Sequence, residues 1–430
     1  DGRQCRNIGH IWHGWNGKTT LAKEVYNQEQ LRFKNKCFLK DVKDAKSSTS
    51  IMDLQKKMMT DLLGVDVMKL SGDCARWFEM IQRQKILLVV DDISETNQFY
   101  ELIPDLNQLV QGSRVLITSR ASDILNNIMV DIPHHALYPI PELSLSNSIE
   151  LFIRCAFRKM TLDDVDISFH KSVNMVSKAC GGVPLALEVM GGFLADKLNE
   201  PDCWMQVISG LRSNGDILKS LKISYDGLTN KDDKQMFVDI ACFMLGHLRH
   251  VALAIWNSID NYRSPSWSLK RLIDKCLVKV DDKGLLRMHD LLRDMGRNIV
   301  EENATDRHEL PSHIWSSSLA VKIIQKKHGL KKVLGLSLVG VESSIAWQVE
   351  TFAKMKELRY LLLDGCSING NFSTWPEDLR WLQWRYCPHE VLPWNLKLPY
   401  LSVLNLNDSS NLTHVWHEGF EEVRTIHHTR

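Results

Sequence analysis

The chain has 430 residues, of which 44% are hydrophobic and 24% charged, and its formal net charge is +1. A chain of this length is expected to form about three or four domains. The near-zero charge argues against a general attraction to nucleic acid or anionic membranes, and no apolar run reaches the ~18 residues of a membrane span. Ten cysteines without a C-x-x-C pair predict neither a zinc site nor a disulfide framework, so a reducing, intracellular setting is expected.

A phosphate-binding signature lies near the start of the chain. The run Gly17–Thr19 completes the P-loop pattern G-x-x-x-x-G-K-[ST], but Trp12 replaces its first glycine. In a P-loop the lysine contacts the β- and γ-phosphates, the threonine hydroxyl reaches Mg²⁺, and N–H groups of the following helix face the anion. The motif predicts a phosphate site with fewer flexible glycines than usual.

Residues 5–140 alternate short apolar runs with helical stretches, which predicts a parallel sheet flanked by helices. The run Ile86–Val90 is a predicted buried strand, and the carboxylates Asp91 and Asp92 follow it. A Walker B element delivers an acid to Mg²⁺ in this way, so Asp91 is the candidate metal ligand and Asp92 the candidate base for an attacking water. The alternative is a buried strand that ends in a polar turn, but the upstream P-loop motif favours Walker B.

A further predicted strand, Ser113–Arg120, ends in a hydroxyl and a guanidinium. The guanidinium fork suits phosphate, so Arg120 is a candidate sensor of the γ-phosphate. As an isolated feature, an arginine after a strand more often faces solvent.

The middle of the chain is predicted to be helical and then to form a winged helix. Gly181 and Gly182 interrupt two helices, and Pro184 stands in the first turn of the second. Farther on, the run 276–288 predicts a β-hairpin followed by a helix, with His289 at their junction. A histidine in this position is more often a structural hydrogen-bonding residue than a ligand.

A repeat begins near residue 330. The pattern L-x-x-L-x-L recurs from Leu358, Leu379 and Leu401, at spacings of 21 and 22 residues, and Val333 begins a looser copy. This period is typical of leucine-rich repeats, in which each repeat adds one short parallel strand. The pattern continues toward Arg430 without a closing cap, so we expect a truncated solenoid.

Five motifs follow one another in a fixed order: Gly17–Thr20, Leu88–Asp92, Gly112–Arg120, Cys180–Leu187 and Met288–Asp290. In this order they resemble the NB-ARC module of plant nucleotide-binding leucine-rich-repeat disease-resistance proteins. The runs Lys222–Leu228 and Phe237–Phe243 resemble the subclass that carries an N-terminal TIR domain. The resemblance covers nearly the whole chain, which is expected to be a fragment without the TIR domain and its NAD-hydrolase activity.

The resemblance implies a fold with four parts: an α/β P-loop nucleotide-binding domain, an α-helical domain, a winged-helix domain and the start of a leucine-rich-repeat solenoid. The expected boundaries are 1–138 for the nucleotide-binding domain, 139–214 for the helical domain (ARC1), 215–305 for the winged-helix domain (ARC2), 306–329 for a linker, and 330–430 for the repeats.

The resemblance also implies that the cofactors are ADP or ATP with Mg²⁺. Pro184 is expected to pack against adenine, His289 to contact the β-phosphate of ADP, and Asp290 to act as an N-cap that supports His289. The predicted catalytic residues are Asp91 and Asp92, and the predicted metal ligands are Thr19 and Asp91. The predicted nucleotide-binding residues are Gly14, Asn16, Gly17, Lys18, Thr19, Thr20, Arg120, Pro184, Leu185 and His289.

The expected function is an intracellular immune receptor that switches between ADP and ATP states and is at most a slow ATPase. Its expected partner is a pathogen effector or a guarded host protein bound by the repeats, with self-association on activation and a cytoplasmic or nuclear location. The alternative is a nucleotide-dead scaffold, because Trp12 and Trp15 stand where the family has glycine, and bulky residues there restrict φ or clash with phosphate. A winged-helix DNA-binding protein and a kinase are weaker alternatives, since neither a dense basic face nor an acceptor-site signature is present.

Overall fold

The computed structural model describes residues 8–13, 17–45, 48–64, 74–119, 122–129, 135–213, 217–260, 262–326, 329–341 and 345–415. The chain divides into two compact units. The first unit contains the residues up to Ser148 together with Gly181–Leu185, and the second contains Ile149–Cys180 and the residues from Ala186 onward. Within the described residues, no helix has the length and hydropathy needed to cross a membrane.

The first unit is built on a five-stranded sheet with strand order β2-β3-β4-β1-β5, and every neighbouring pair is parallel. Its strands are β1 (Ile8–His13), β2 (Asn35–Leu39), β3 (Ile86–Ile93), β4 (Arg114–Ser119) and β5 (His135–Pro139). Its helices are α1 (Lys18–Glu29), α2 (Ser48–Leu63), α3 (Cys74–Gln82), α4 (Thr96–Leu102) and α5 (Ser122–Met129).

Strand β3 lies in the interior of this sheet, and all eight of its residues are buried. A continuous apolar run is typical of a parallel strand that is covered on both faces, which confirms the predicted strand. The strand is longer than predicted: Asp91 and Asp92 lie inside it, and its register with β4 shifts between Val90 and Ile93. Such an irregularity redirects side chains at the end of a strand.

Helices continue the chain. They are α6 (Leu145–Ala156), α7 (Ile167–Ala179), α8 (Pro184–Leu194) and α9 (Pro201–Ser213). Between α7 and α8 the backbone turns through Gly181 and Gly182, whose φ angles are +60° and +70°. Positive φ favours glycine, so this glycine pair ends α7 and allows Pro184 to begin α8, as the sequence predicts.

A winged helix follows in the second unit. Its elements are α10 (Ile217–Asp226), α11 (Lys231–Asp239), α12 (Arg249–Asn257), α13 (Pro265–Asp274), β6 (Lys279–Val280), β7 (Leu286–Arg287) and α14 (Asp290–Asp306). Strands β6 and β7 pair antiparallel, with Lys279 opposite Arg287, as the predicted hairpin requires. A π-helical turn, Ile240–Met244, continues α11.

The last part of the second unit contains a parallel sheet with strand order β14-β13-β11-β9-β8 and a parallel pair formed by β10 and β12. The elements are β8 (His313–Ile314), α15 (Ser317–Lys326), β9 (Gly335–Ser337), β10 (Ala346–Gln348), α16 (Val349–Phe352), β11 (Tyr360–Asp364), β12 (Ser367–Asn369), β13 (Trp381–Arg385) and β14 (Val403–Asn405).

The leucines of the sequence repeat align across this sheet. Leu361 pairs with Leu382, and Leu382 pairs with Leu404, and all three are buried. The regular spacing therefore corresponds to neighbouring parallel strands, while their identification as leucine-rich repeats stays a prediction. The expected linker 306–329 instead contains α15 and β8, and β8 joins the sheet through β9.

Candidate nucleotide-binding site

The P-loop motif lies where β1 leads into α1. Gly17 precedes the first residue of α1 and has φ = +74°, a left-handed conformation that favours glycine over other residues. Its carbonyl accepts the backbone N–H of Leu21 at 3.0 Å, which closes the first turn. Lys18 is buried and Thr19 is partly buried in this turn. The start of α1 therefore combines an ammonium, a hydroxyl and helical N–H groups, which is the chemistry of an anion site.

Asp91 is fully buried and receives hydrogen bonds from two threonines. The Thr19 hydroxyl donates to Oδ2 at 2.8 Å, and the Thr118 hydroxyl donates to Oδ1 at 2.7 Å. Thr118 also accepts the backbone N–H of Asp92 at 2.8 Å. The structure thus brings together the hydroxyl and the carboxylate that the sequence assigns to one metal ion.

Burial raises the pKa of Asp91 above the ordinary value of an aspartate. The hydrogen bonds from Thr118 and Thr19 act in the opposite direction, and the nearby carboxylates of Asp92 and Asp41 raise the pKa further. A buried carboxylate near other negative charges favours the approach of a cation, because a cation compensates the charge that burial disfavours.

Asp92 is held differently from Asp91. Its carboxylate forms a buried ion pair with Lys43, whose ammonium donates a hydrogen bond to Oδ2. The backbone of Asp92 has φ = +62°, an uncommon conformation for a residue other than glycine. The sequence predicts a base at Asp92, and the structure shows that this carboxylate is paired with the ammonium of Lys43.

Lys43 reaches Asp92 because β2 and β3 are parallel neighbours whose carboxyl ends lie at the same edge of the sheet. It lies in the 3₁₀ turn Val42–Asp44, which follows β2. The buried amide of Gln98 fixes this turn: its Nε2 donates to the carbonyls of Val42 at 3.2 Å and Ala45 at 3.0 Å. On its other side, Oε1 of Gln98 accepts the N–H groups of the two residues preceding α4.

Three of the predicted nucleotide-binding residues, Gly14, Asn16 and Arg120, lie outside the described residues, as does Trp15. Thr20 is exposed on α1. The backbone of Trp12 lies inside β1 and pairs with Thr118 and Tyr138. Extended strand backbone accepts aromatic residues, so Trp12 does not occupy a conformation that only glycine adopts.

Pro184 and Leu185 group with the first unit, although the rest of α8 belongs to the second. The carbonyl of Gly182 accepts the backbone N–H of Leu143 at 2.9 Å. A Cβ on Gly182 would lie 2.6 Å from the carbonyl oxygen of Leu143, so this position requires glycine for space as well as for φ. These contacts fix the glycine turn that precedes Pro184 within the unit that holds Thr19.

The predicted cap of α14 is wrong by one residue. We expected Asp290 to be the N-cap, but α14 begins at Asp290 and the cap is His289. The imidazole Nδ1 of His289 accepts the backbone N–H of Leu291 at 3.2 Å, and Asp290 forms an ion pair with Arg293 at 3.0 Å. An imidazole nitrogen can satisfy a free helical N–H, which leaves Asp290 in the first turn, where negative charge is favourable. His289 belongs to the second unit, and its side chain is exposed.

The side chains present at this edge of the sheet fit Mg²⁺. Oxygen ligands from a hydroxyl and a carboxylate, completed by phosphate and water, are those that Mg²⁺ prefers in nucleotide sites. Thr19 and Asp91 supply such a pair with their oxygen atoms 2.8 Å apart. Among the described residues, no cluster of three or more His, Cys, Asp or Glu side chains forms an all-protein metal site.

Sequence reasoning missed three residues of this site: Lys43, Gln98 and Thr118. Each comes from a different segment, and the three meet only because β2, β3 and β4 are neighbours in the sheet. A signal for Lys43 is nonetheless present, because it closely follows the apolar run Cys37–Leu39. Side chains that follow the strands of a parallel sheet converge on its ligand-binding edge.

Comparison with known proteins gives two family matches. Residues 10–161 match the NB-ARC domain, and residues 230–304 match the winged-helix domain of Roq1-like disease resistance proteins. The chain is 29% identical to TMV resistance protein N of Nicotiana glutinosa, over 95% of this chain and 35% of that protein. It is 29% identical to disease resistance protein RPV1 of Vitis rotundifolia, over 98% of this chain and 32% of that protein.

The chain thus spans about a third of the length of these relatives. The chain is 13% identical to a solved Walker-type ATPase of Pyrococcus abyssi, over 67% of this chain and 91% of that one, with a TM-score of 0.31. The relatives are plant resistance proteins, as the sequence motifs predict. With its P-loop α/β sheet and winged helix, the chain contains an NB-ARC domain and a Roq1-like winged-helix domain, and it is similar to plant disease-resistance proteins.

Proposed function

We propose that the chain is the switch region of an intracellular plant immune receptor, in which bound ADP and ATP favour different conformations. The observation that carries this proposal is the contact of Thr19 with buried Asp91 at the start of α1. An intact lysine, hydroxyl and acid at the carboxyl edge of a parallel sheet form the working part of a P-loop site.

In the proposed site, the helical N–H groups after Gly17 and the ammonium of Lys18 bind the phosphates. Thr19 and Asp91 hold Mg²⁺, which when bound neutralises charge that develops on the phosphates. Pro184 and Leu185 line the adenine side, and Gly14, Asn16, Thr20 and Arg120 complete the set as the family resemblance implies. Asp92 orients or deprotonates the water that slowly hydrolyses ATP.

The proposed switch is a shift in population between a closed ADP state and an open ATP state. A nucleotide changes this balance only if its contacts differ between the two states. We propose that His289 supplies such a contact, to the β-phosphate of ADP. The hydrogen bond from the backbone N–H of Leu291 to the His289 ring supports this role, because it fixes the ring at the N-terminus of α14.

Replacing Asp290 by Val tests the switch. Asp290 neighbours His289 and pairs with Arg293, so its loss is expected to loosen the ADP state, giving a higher ratio of bound ATP to ADP and faster limited proteolysis. Asp294→Val is the matched control, since Asp294 also faces Arg293, at 3.4 Å, but does not adjoin His289. A nucleotide ratio and a cleavage rate unchanged from the parent chain in Asp290→Val would rule out this mechanism.

We further propose that the repeats bind a pathogen effector or a guarded host protein, and that activation leads to self-association. A cytoplasmic or nuclear site of action is the setting that this role requires. The scaffold alternative rested on Trp12 and Trp15, and the strand position of Trp12 weakens it, because the φ restriction does not apply there.

A further inference from the structure

Lys43, which forms a buried ion pair with Asp92, has no part in the function proposed above. The side chains of the two residues are only 10% and 9% exposed. Moving two charges out of water commonly costs as much free energy as their mutual attraction returns, so a buried ion pair adds little to the stability of the fold. This pair also lies at the ligand-binding edge of the sheet, where a second role for the lysine is chemically reasonable.

The backbone on both sides of the pair is held in uncommon conformations. Asp92 has φ = +62°, and Asp41, two residues before Lys43, has φ = +53°. Conformations of this kind cost free energy and are found chiefly where the surrounding structure positions a functional group. Gln98 contributes to that positioning, because the hydrogen bonds of its side-chain amide connect the turn that holds Lys43 to the loop after β3.

The pair adjoins the proposed metal ligands. Asp92 directly follows Asp91 in β3, and Asp91 accepts the hydroxyl of Thr19. The Lys43 ammonium therefore pairs with the residue that directly follows the proposed Mg²⁺ ligand, and it comes from the turn after β2, the strand next to β3. An ammonium is a compact point charge on a flexible stem, which suits it to exchange one anionic partner for another.

We propose that Lys43 distinguishes a nucleoside triphosphate from a diphosphate. With ADP bound, Lys43 stays on Asp92 and neutralises it. With ATP bound, the ammonium turns to the terminal phosphate, which carries more negative charge than one carboxylate, and Asp92 is released. This inference rests on the proposed nucleotide-binding function.

The carboxylate that Lys43 has left then acts on water. The water oxygen forms a bond to the terminal phosphorus while the bond to the bridging oxygen breaks, so that ADP and inorganic phosphate leave. The proton lost by the water passes to Asp92 and from there to the phosphate. Lys43 thereby couples recognition of the third phosphate to the availability of the base.

The test compares Lys43→Met and Lys43→Arg in the complete 430-residue chain. The affinities for Mg·ADP and for a Mg-bound non-hydrolysable ATP analogue are measured by titration calorimetry. We expect Lys43→Met to weaken binding of the triphosphate about tenfold, the factor that one phosphate contact of about 1.4 kcal/mol represents, and to leave ADP binding nearly unchanged. Lys43→Arg retains the positive charge and is expected to bind the triphosphate, relative to the diphosphate, nearly as well as the parent chain does.

Lys40→Met is the matched control, because Lys40 lies three residues earlier and pairs with Asp41 at 3.1 Å in a more exposed setting. If Lys43→Met does not fold, the double variant Lys43→Met/Asp92→Asn removes the uncompensated carboxylate, and its affinity ratio is measured instead. An unchanged ratio of the two affinities in the folded variant would overturn the inference while leaving the proposed function intact. Failure of the parent chain to bind either nucleotide would reject both.

Discussion

Thr118 links the two acidic residues of β3 to the neighbouring strand β4. Its hydroxyl donates to Asp91 at 2.7 Å and accepts the backbone N–H of Asp92 at 2.8 Å. A single buried hydroxyl therefore orients a proposed metal ligand and satisfies the N–H of a residue at positive φ. This double use explains why the end of β4 carries threonine rather than an apolar β-branched residue.

Replacing Thr118 by Val keeps the shape of the side chain but removes both hydrogen bonds. We expect a loss of about 1–3 kcal/mol in the free energy of unfolding, measured with urea, because a buried N–H and a buried carboxylate each lose a partner. The pKa of Asp91 is expected to rise further, since the hydrogen bond from Thr118 lowers it in the parent chain. Mg²⁺ binding is then expected to weaken at a higher pH than in the parent chain as the pH falls, because protonated Asp91 does not bind a cation.

Thr118→Ser is the control, since it retains the hydroxyl. The account predicts that the serine variant keeps most of the stability and the Mg²⁺ affinity of the parent chain. Equal losses in the serine and valine variants would mean that packing of the methyl group, rather than the hydroxyl, is what the position requires.

The residues that were predicted from the sequence differ in kind from those that were not. Gly17, Thr19 and Asp91 belong to local motifs, whose spacing alone gives their chemistry. Lys43 and Gln98 reach the site only because separate segments meet at one edge of the sheet, and no local sequence pattern determines the order of the strands. One-residue details such as the cap of α14 depend on backbone angles that sequence spacing does not fix.

At the scale of elements, Asp239 joins the winged helix to the second parallel sheet. It ends α11, is fully buried, and accepts hydrogen bonds from groups on several other elements. The donors are Trp256 Nε1 at 3.0 Å, Tyr262 Oη at 2.9 Å, Tyr360 Oη at 2.9 Å and Gln235 Nε2 at 3.0 Å, and His313 Nε2 lies 2.8 Å away.

Burial by itself raises the pKa of Asp239, but the hydrogen bonds from His313 and its other partners together hold it below the ordinary value. The carboxylate therefore stays ionised and stabilises the native state above the unfolded pKa of an aspartate. That contribution is lost as the pH falls through the lower native pKa. The sequence does not reveal this cluster, because the partners of Asp239 are up to 121 residues away.

Replacing Tyr360 by Phe removes one of these donors. We expect a decrease of about 1–2 kcal/mol in the free energy of unfolding, since a hydrogen bond to a charged group is lost without a change in shape. Tyr400→Phe is the control, because Tyr400 precedes β14 of the same sheet and is exposed, so the change removes a hydroxyl outside the Asp239 cluster. A Tyr360→Phe variant no less stable than Tyr400→Phe would show that the Asp239 cluster does not stabilise the junction.

At the scale of the whole molecule, the order of motifs predicts more than any single motif does. It gives the α/β sheet, the helices and the winged helix in their observed sequence, and the family matches confirm two of these parts. The expected linker 306–329 was the weakest prediction, because it contains β8, a two-residue strand that is too short for a periodic pattern to reveal.

We propose that this chain binds an adenine nucleotide despite the tryptophans near its P-loop. The most direct measurement is to purify the chain, denature it, and identify the released nucleotide by chromatography, together with a thermal shift in the presence of Mg·ADP. We expect released ADP in nearly equimolar amount and a higher melting temperature with Mg·ADP. Absence of nucleotide and of any shift would contradict it and favour the nucleotide-dead scaffold.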